Sequence, residues 1–176
     1  SLESAQERGA TIYAEILGGS SNSGGQRNEG SMTAPNPIAV RRCIEDAVSD
    51  SGIEASAIEV INGHLTATTK DGLEIENWSK ALGRSGVDFP YINSLKGMTG
   101  HCLAASGSIE SVASVLELKQ QFLFPNVNLN EVHPEILEHI SESRIPKKKT
   151  PLAFNYLAKA SFGFGDVNCC LIFKSF

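Results

Sequence analysis

Apolar positions along this chain follow two alternating rhythms, short extended runs and longer stretches of helical repeat, and the alternation predicts helices laid over a sheet. Residues 10–18 predict a first strand. Residues 18–30 are rich in Gly, Ser and Asn and lack apolar periodicity, so they predict an exposed loop. Pro35 and Pro37 open a helix on which Val40, Cys43, Ile44, Ala47 and Val48 recur at helical spacing until Ser51-Gly52 ends it. Residues 58–62 read as a short buried strand. Asp71-Gly72 then precedes a second helix, with Ile75, Trp78 and Leu82 on one side and Gly83 at its C-cap. Residues 89–94 read as another strand. A long helix follows His101, with small residues from Ala104 to Ser108 and then Ile109, Val112, Val115, Leu116 and Leu118 as its expected core face. Residues 152–160 and 167–173 predict a last pair of strands joined by a Gly-rich turn. The expected class is α/β, with helices covering a mixed sheet.

A hydrophobic content of 41% over 176 residues is enough for one domain with a sizeable core. No apolar run approaches the ~20 residues of a membrane helix, so no membrane partner is expected. The formal charge of −5 argues against a general nucleic-acid binder, which needs a surplus of Lys and Arg to neutralise phosphates. Four cysteines show no metal-ligand spacing, and Cys169 and Cys170 are strand neighbours that face opposite sides. A reducing, cytoplasmic setting and no metal are the simpler expectation. The polar N-terminus lacks an initiating methionine, from which missing sequence upstream is expected. His133 and His139 read as surface residues. Lys147–Lys149 reads as a solvated loop that could meet an acidic partner.

The chemistry concentrates in three short motifs. His64 stands in Asn62-Gly63-His64-Leu65-Thr66-Ala67-Thr68, Lys96 and His101 in Ser94-Leu95-Lys96-Gly97-Met98-Thr99-Gly100-His101, and Phe164 in Ser161-Phe162-Gly163-Phe164-Gly165-Asp166-Val167-Asn168. Each falls at a strand end or in the turn after it, where open α/β sheets place their sites. Two imidazoles, an ammonium and a Gly-flanked aromatic suit the stabilisation of an enolate and an oxyanion at neutral pH.

In order and spacing these motifs resemble the C-terminal half of a β-ketoacyl-acyl-carrier-protein synthase, a condensing enzyme of the thiolase-like superfamily. The resemblance implies one half of the layered α-β-α-β-α condensing-enzyme fold, with a mixed five-stranded sheet and with the nucleophilic cysteine in an N-terminal half outside this chain. It implies that His64 and His101 stabilise the enolate left when malonyl-carrier-protein loses carbon dioxide, that Lys96 orients nearby groups against an acidic neighbour, and that Glu74 is the supporting carboxylate. Thr66 and Thr68 have the family's spacing for hydroxyls on the phosphopantetheine arm, and alternate residues of an extended segment project to one side. Phe164 corresponds to the gating residue, with its backbone N–H an oxyanion donor. Substrates carried on phosphopantetheine need no further cofactor. The implied partners are an acyl carrier protein, the chain's own N-terminal half, and a second ketosynthase copy in a homodimer or heterodimer. Alone, the fragment is expected to be inactive.

The bland alternatives remain beside these roles at this stage: strand-end histidines, a solvated lysine, a helix-surface glutamate, turn threonines and a packing phenylalanine. Two departures bear on activity. Leu65 stands where the family has glycine, adding bulk near the expected pantetheine path, and Asp166 replaces the second glycine of the Gly-Phe-Gly-Gly turn, bringing negative charge toward an oxyanion. They leave room for a non-catalytic partner subunit of the chain-length-factor type. None of the four cysteines reads as a substitute nucleophile.

Overall fold

The computed structural model describes residues 1–176. In chain order its elements are α1 (Leu2–Glu7), β1 (Ala14–Ser23), α2 (Pro37–Ser51), β2 (Val60–Asn62), α3 (Asp71–Leu82), β3 (Tyr91–Asn93), α4 (Lys96–Thr99), α5 (Ser106–Gln120), β4 (Phe122–Leu123), α6 (Pro134–Leu137), β5 (Thr150–Pro151), β6 (Tyr156–Gly163) and β7 (Val167–Ser175). Five strands form one mixed sheet in the order β1-β7-β6-β2-β3. β2 runs parallel to β3 and β6, while β7 is antiparallel to β1 and β6. The parallel trio therefore delivers Asn62, Asn93 and Gly163 to one edge of the sheet.

Local chemistry sets the helix limits. Asn36 caps α2 by accepting from the backbone N–H groups of Ile38 and Ala39, Pro37 occupies its first turn, and Gly52 closes it in a left-handed conformation (φ 69°). Val40, Cys43, Ile44 and Ala47 of α2 pack with Ile75, Trp78 and Leu82 of α3 against Ile61, Ala158, Ala160, Phe162 and Ile172 of the sheet. On the opposite face Leu118 of α5 packs with Val60, Leu157 and Phe173. The result is a three-layer α/β/α arrangement.

Three elements differ from the sequence expectation. β1 continues through the expected loop as far as Ser23, pairing Gly18 with Ile172 and Ser23 with Val167. A ladder on β7 uses backbone groups and needs no apolar side chains, so hydropathy does not report it. At Gly18 a Cβ would lie 2.7 Å from the Ser51 backbone nitrogen, so the missing side chain lets the end of α2 close on the strand. The last strand pair is shifted: β6 starts at Tyr156, and the preceding Thr150–Pro151 pairs with Phe122–Leu123 instead.

The third difference concerns α5. It begins at Ser106, after a 3-10 turn over Leu103–Ala105, and its buried face is Ser106, Glu110, Ser114, Glu117 and Leu118. Ile109 and Val112, expected in the core, are 40% and 63% exposed. The polar face turns inward because partners across the layer satisfy it. Asn93 Nδ2 and the Phe124 N–H donate to Glu117 Oε1 at 2.5 and 2.6 Å, while buried Oε2 has no partner.

Burial raises the Glu117 carboxyl to about 7 from its ordinary 4.5. The folded state thus keeps a proton that the unfolded chain releases first, so the stability this group contributes is full below pH 4.5 and is lost as pH rises through 7. A shift of that size corresponds to at most about 3 kcal/mol across the window. In Glu117→Gln, which cannot ionise, the Tm advantage over wild type is expected to grow by up to about 6–12 °C between pH 4.5 and pH 8. Calorimetry at the two pH values checks this, and a constant difference refutes it.

Candidate active site

All three sequence motifs meet at the edge where β2, β3 and β6 end. His64, His101, Glu74, Thr66, Thr68 and Phe164 line one cavity of about 820 Å³. The imidazoles of His64 and His101 meet edge to face, with ring centroids 5.4 Å apart. Phe162 packs on the other side of His64 at 6.4 Å.

His101 sits in the tight turn between α4 and α5. Its Nδ1 accepts from the Leu103 N–H at 3.1 Å and lies 3.0 Å from Ser106 Oγ. A backbone donor on Nδ1 assigns the proton of the neutral ring to Nε2, so His101 presents an N–H donor. His64 is held neutral by its surroundings: burial first, then the charges of Lys96 and Lys159, lower its pKa to about 3. Its Nδ1 is buried without a partner.

The loop that carries His64 hangs on two carboxylates at the start of α3. Glu74 accepts the backbone N–H groups of His64 and Leu65 at 2.7 and 2.9 Å. Asp71 accepts those of Thr66, Ala67 and Thr68, which holds Ala67 in a left-handed conformation at φ 57°. The hydroxyls of Thr66 and Thr68 lie 3.3 Å apart on the cavity wall, brought together by the turn at Ala67 and not by the extended segment expected from the sequence. Burial pushes the Glu74 carboxyl up to about 7, against its two backbone donors.

Lys96 is not a solvated lysine, nor does it pair with Glu74. Its Nζ donates to Glu110 Oε1 at 2.6 Å, with both side chains almost wholly buried. Lys159 Nζ lies 2.8 Å from the other oxygen of the same carboxylate. Burial would raise Glu110, but Lys159 and Lys96 outweigh it and hold the carboxyl below its ordinary range. Burial also pushes the Lys159 ammonium down, with Glu110 opposing. Sequence reading missed both Glu110 and Lys159. The signals were a lysine inside the apolar run Leu157-Ala158-Lys159-Ala160 and the spacing of Glu110, Ser114 and Glu117 along one helix face.

Both departures from the family pattern turn away from the cavity. Leu65 packs against the main core and lines a second, smaller cavity of about 320 Å³, which also contains Lys96. Asp166 adopts φ 64° and is fully buried, with its carboxylate accepting from the N–H groups of Asn36 and Gln26 at 2.7 and 3.0 Å. Its charge therefore organises the segment before α2 instead of facing an oxyanion. Phe164 stands 66% exposed at the cavity rim. All four cysteines are free, and burial pushes the Cys43 thiol up to about 11 and Cys170 well above its ordinary value. Cys102 is half-buried in the turn before α5, not on a helix. No helix is long and apolar enough to cross a membrane, and no group of three or more His, Cys, Asp or Glu is disposed to hold a metal ion.

Residues 13–130 match the family described as Beta-ketoacyl synthase, C-terminal domain. The 3-oxoacyl-[acyl-carrier-protein] synthase I, chloroplastic, of Arabidopsis thaliana is 34% identical over all of this chain, which spans 36% of that relative's length. Among solved structures, a type II PKS acyl-carrier protein in complex with its ketosynthase bound to the hexaketide superposes with a TM-score of 0.87 and 32% identity, over all of this chain and 42% of that one. The ishigamide ketosynthase/chain length factor gives a TM-score of 0.88 and 28% identity, over all of this chain and 41% of that one.

Proposed function

This chain belongs to the beta-ketoacyl synthase family through its C-terminal domain, and from that premise we propose that it contributes the decarboxylating half of a ketosynthase active site, which joins malonyl-carrier-protein to an acyl thioester. The observation that carries the reading is the His64–His101 pair, two imidazoles on one cavity wall, with His64 held neutral and His101 Nδ1 occupied by a backbone donor. In the proposed cycle an acyl group first rests on a cysteine in a companion half. The pantetheine arm of malonyl-carrier-protein then passes Thr66 and Thr68. His64 and His101 donate to its thioester oxygen as carbon dioxide leaves, so charge that appears in the transition state meets donors already in place. The enolate carbon attacks the acyl thioester, the Phe164 N–H holds the resulting oxyanion, and its collapse breaks the carbon–sulfur bond and returns the cysteine of the companion half as thiolate. Lys96, fixed by Glu110, orients the pair.

The chain spans 31 to 42% of the length of the relatives it matches. Exposed Ile109 and Val112 on α5 form the apolar strip that a companion half would cover. Acylation of the protein as encoded, followed by peptide mapping, tests the division of labour. Label on a cysteine outside Cys43, Cys102, Cys169 and Cys170, together with release of carbon dioxide from malonyl-carrier-protein, is the expected result. Label on one of those four cysteines overturns it. Absence of both label and release favours a chain-length-factor-type partner, a reading that the match to a ketosynthase/chain length factor structure keeps in view. The inward-turned Asp166 and Leu65 side chains, which leave the cavity unobstructed, favour the enzyme.

A further inference from the structure

Lys159 is a buried cation near the cavity that the proposed cycle does not use. It lies on β6 two residues before Ser161, so both side chains project from the same sheet face toward α5. Its ammonium donates to the Ala160 carbonyl and to Ser161 Oγ at 3.2 Å, and it forms an ion pair with Glu110 Oε2 at 2.8 Å. Ser161, unlike Lys159, lines the main cavity with His64, His101 and Phe164. An ammonium only donates, so Ser161 Oγ accepts from it, and the hydroxyl proton is left free to donate elsewhere. Gly107 keeps the space beside that hydroxyl open, since a Cβ there would come within 3.3 Å of Oγ.

Charge counting gives the arrangement a direction. Lys96 and Glu110 alone form a neutral pair, and adding Lys159 leaves one positive charge in excess in a place almost closed to water. Burying a surplus cation is costly, and packing alone would be served better by an apolar side chain of similar volume. The charged groups acting on Lys159 are Glu110, Lys96 and Glu74. Glu74 offsets the surplus only in part, because both its oxygens already accept backbone N–H groups and burial disfavours its charged form.

We propose that Ser161, backed by Lys159, is a carboxylate-selecting site in the main cavity: its hydroxyl donates to the carboxylate of the bound malonyl unit, and the excess positive charge behind it favours that anion over uncharged acyl thioesters. Ser161 touches the substrate, and Lys159 is a positioning residue that acts through it. The site rests on the reading of this cavity as a malonyl site. It has a distinctive kinetic consequence. The carboxylate leaves as neutral carbon dioxide, so a donor to it holds the ground state at least as strongly as the transition state and lowers KM without raising kcat.

The test is titration of the protein as encoded with two non-hydrolysable pantetheine thioethers, one carrying a malonyl group and one an acetyl group. Wild type is expected to bind the malonyl analogue about 10-fold more tightly than the acetyl one, the size of one hydrogen bond to a charged group. Ser161→Ala and Lys159→Met are each expected to abolish the preference while leaving acetyl-analogue binding unchanged, and the double variant to lose no more than either. In turnover, Ser161→Ala raises KM for malonyl-carrier-protein about 10-fold at nearly constant kcat. Equal binding of the two analogues by wild type, or a preference that survives in Ser161→Ala, overturns the site. If Lys159→Met does not fold, Ser161→Ala decides by itself. Failure of the condensing reading looks different: wild type then releases no carbon dioxide, whatever the analogue preference.

Discussion

His64→Ala and His101→Ala are each expected to slow decarboxylation of malonyl-carrier-protein by about 10²–10³-fold, the usual cost of removing one oxyanion donor. The two rings sit 5.4 Å apart and are proposed to serve one oxygen, so the double variant is expected to fall well short of the product of the single losses. Acyl loading should proceed at close to the wild-type rate, because the nucleophile is assigned to another segment. Loading and carbon dioxide release are measured separately with labelled substrates in the protein as encoded. Wild-type release from both variants would remove the roles assigned here. The burial that holds His64 near pKa 3 also predicts that this ring does not protonate as pH falls through the ordinary histidine range.

Glu110→Leu carries the largest expected effect on stability. It leaves the Lys96 and Lys159 ammonium groups facing each other almost out of water with no counter-charge, and breaking a buried ionic cluster in this way costs about 3–5 kcal/mol. For a chain of this size that corresponds to a Tm lower by about 6–20 °C. The triple variant Lys96→Met, Glu110→Leu, Lys159→Met removes all three charges together and is expected to recover most of the loss, yet not the decarboxylation, since the ring-orienting charges go with them. Calorimetry and the release assay separate the two. A single variant as stable as wild type would show that the carboxylate does not hold the lysines.

Several parts of this structure were legible because they depend on neighbours in sequence. Asn36-Pro37 and Gly52 limit α2 through local capping and a left-handed residue, and Gly83 ends α3 in the same way. The position of the segments carrying His64, Lys96 and Phe164 just after strands followed from the alternation of strand and helix, although Lys96 opens the short α4 and His101 lies beyond it. Other features were not legible, for identifiable reasons. β1 runs on to Ser23 because backbone pairing with β7 is indifferent to the Gly-Ser-Asn composition that signalled a loop. Glu74 was expected to be the carboxylate that supports Lys96, but it accepts the backbone N–H groups of His64 and Leu65, whereas Lys96 takes Glu110.

Sequence alone determined the class of fold, the order of the five sheet strands and the three long helices, and the short motifs that deliver the polar side chains, since propensity, capping and hydrophobic period act over a few residues. Tertiary structure alone decided which face of α5 turns inward, that Leu65 and Asp166 point away from the cavity, and that Lys96, Glu110 and Lys159 share one buried cluster. The reason is physical: whether a charged side chain can be buried depends on a partner that arrives from a distant segment, and no local pattern encodes that arrival.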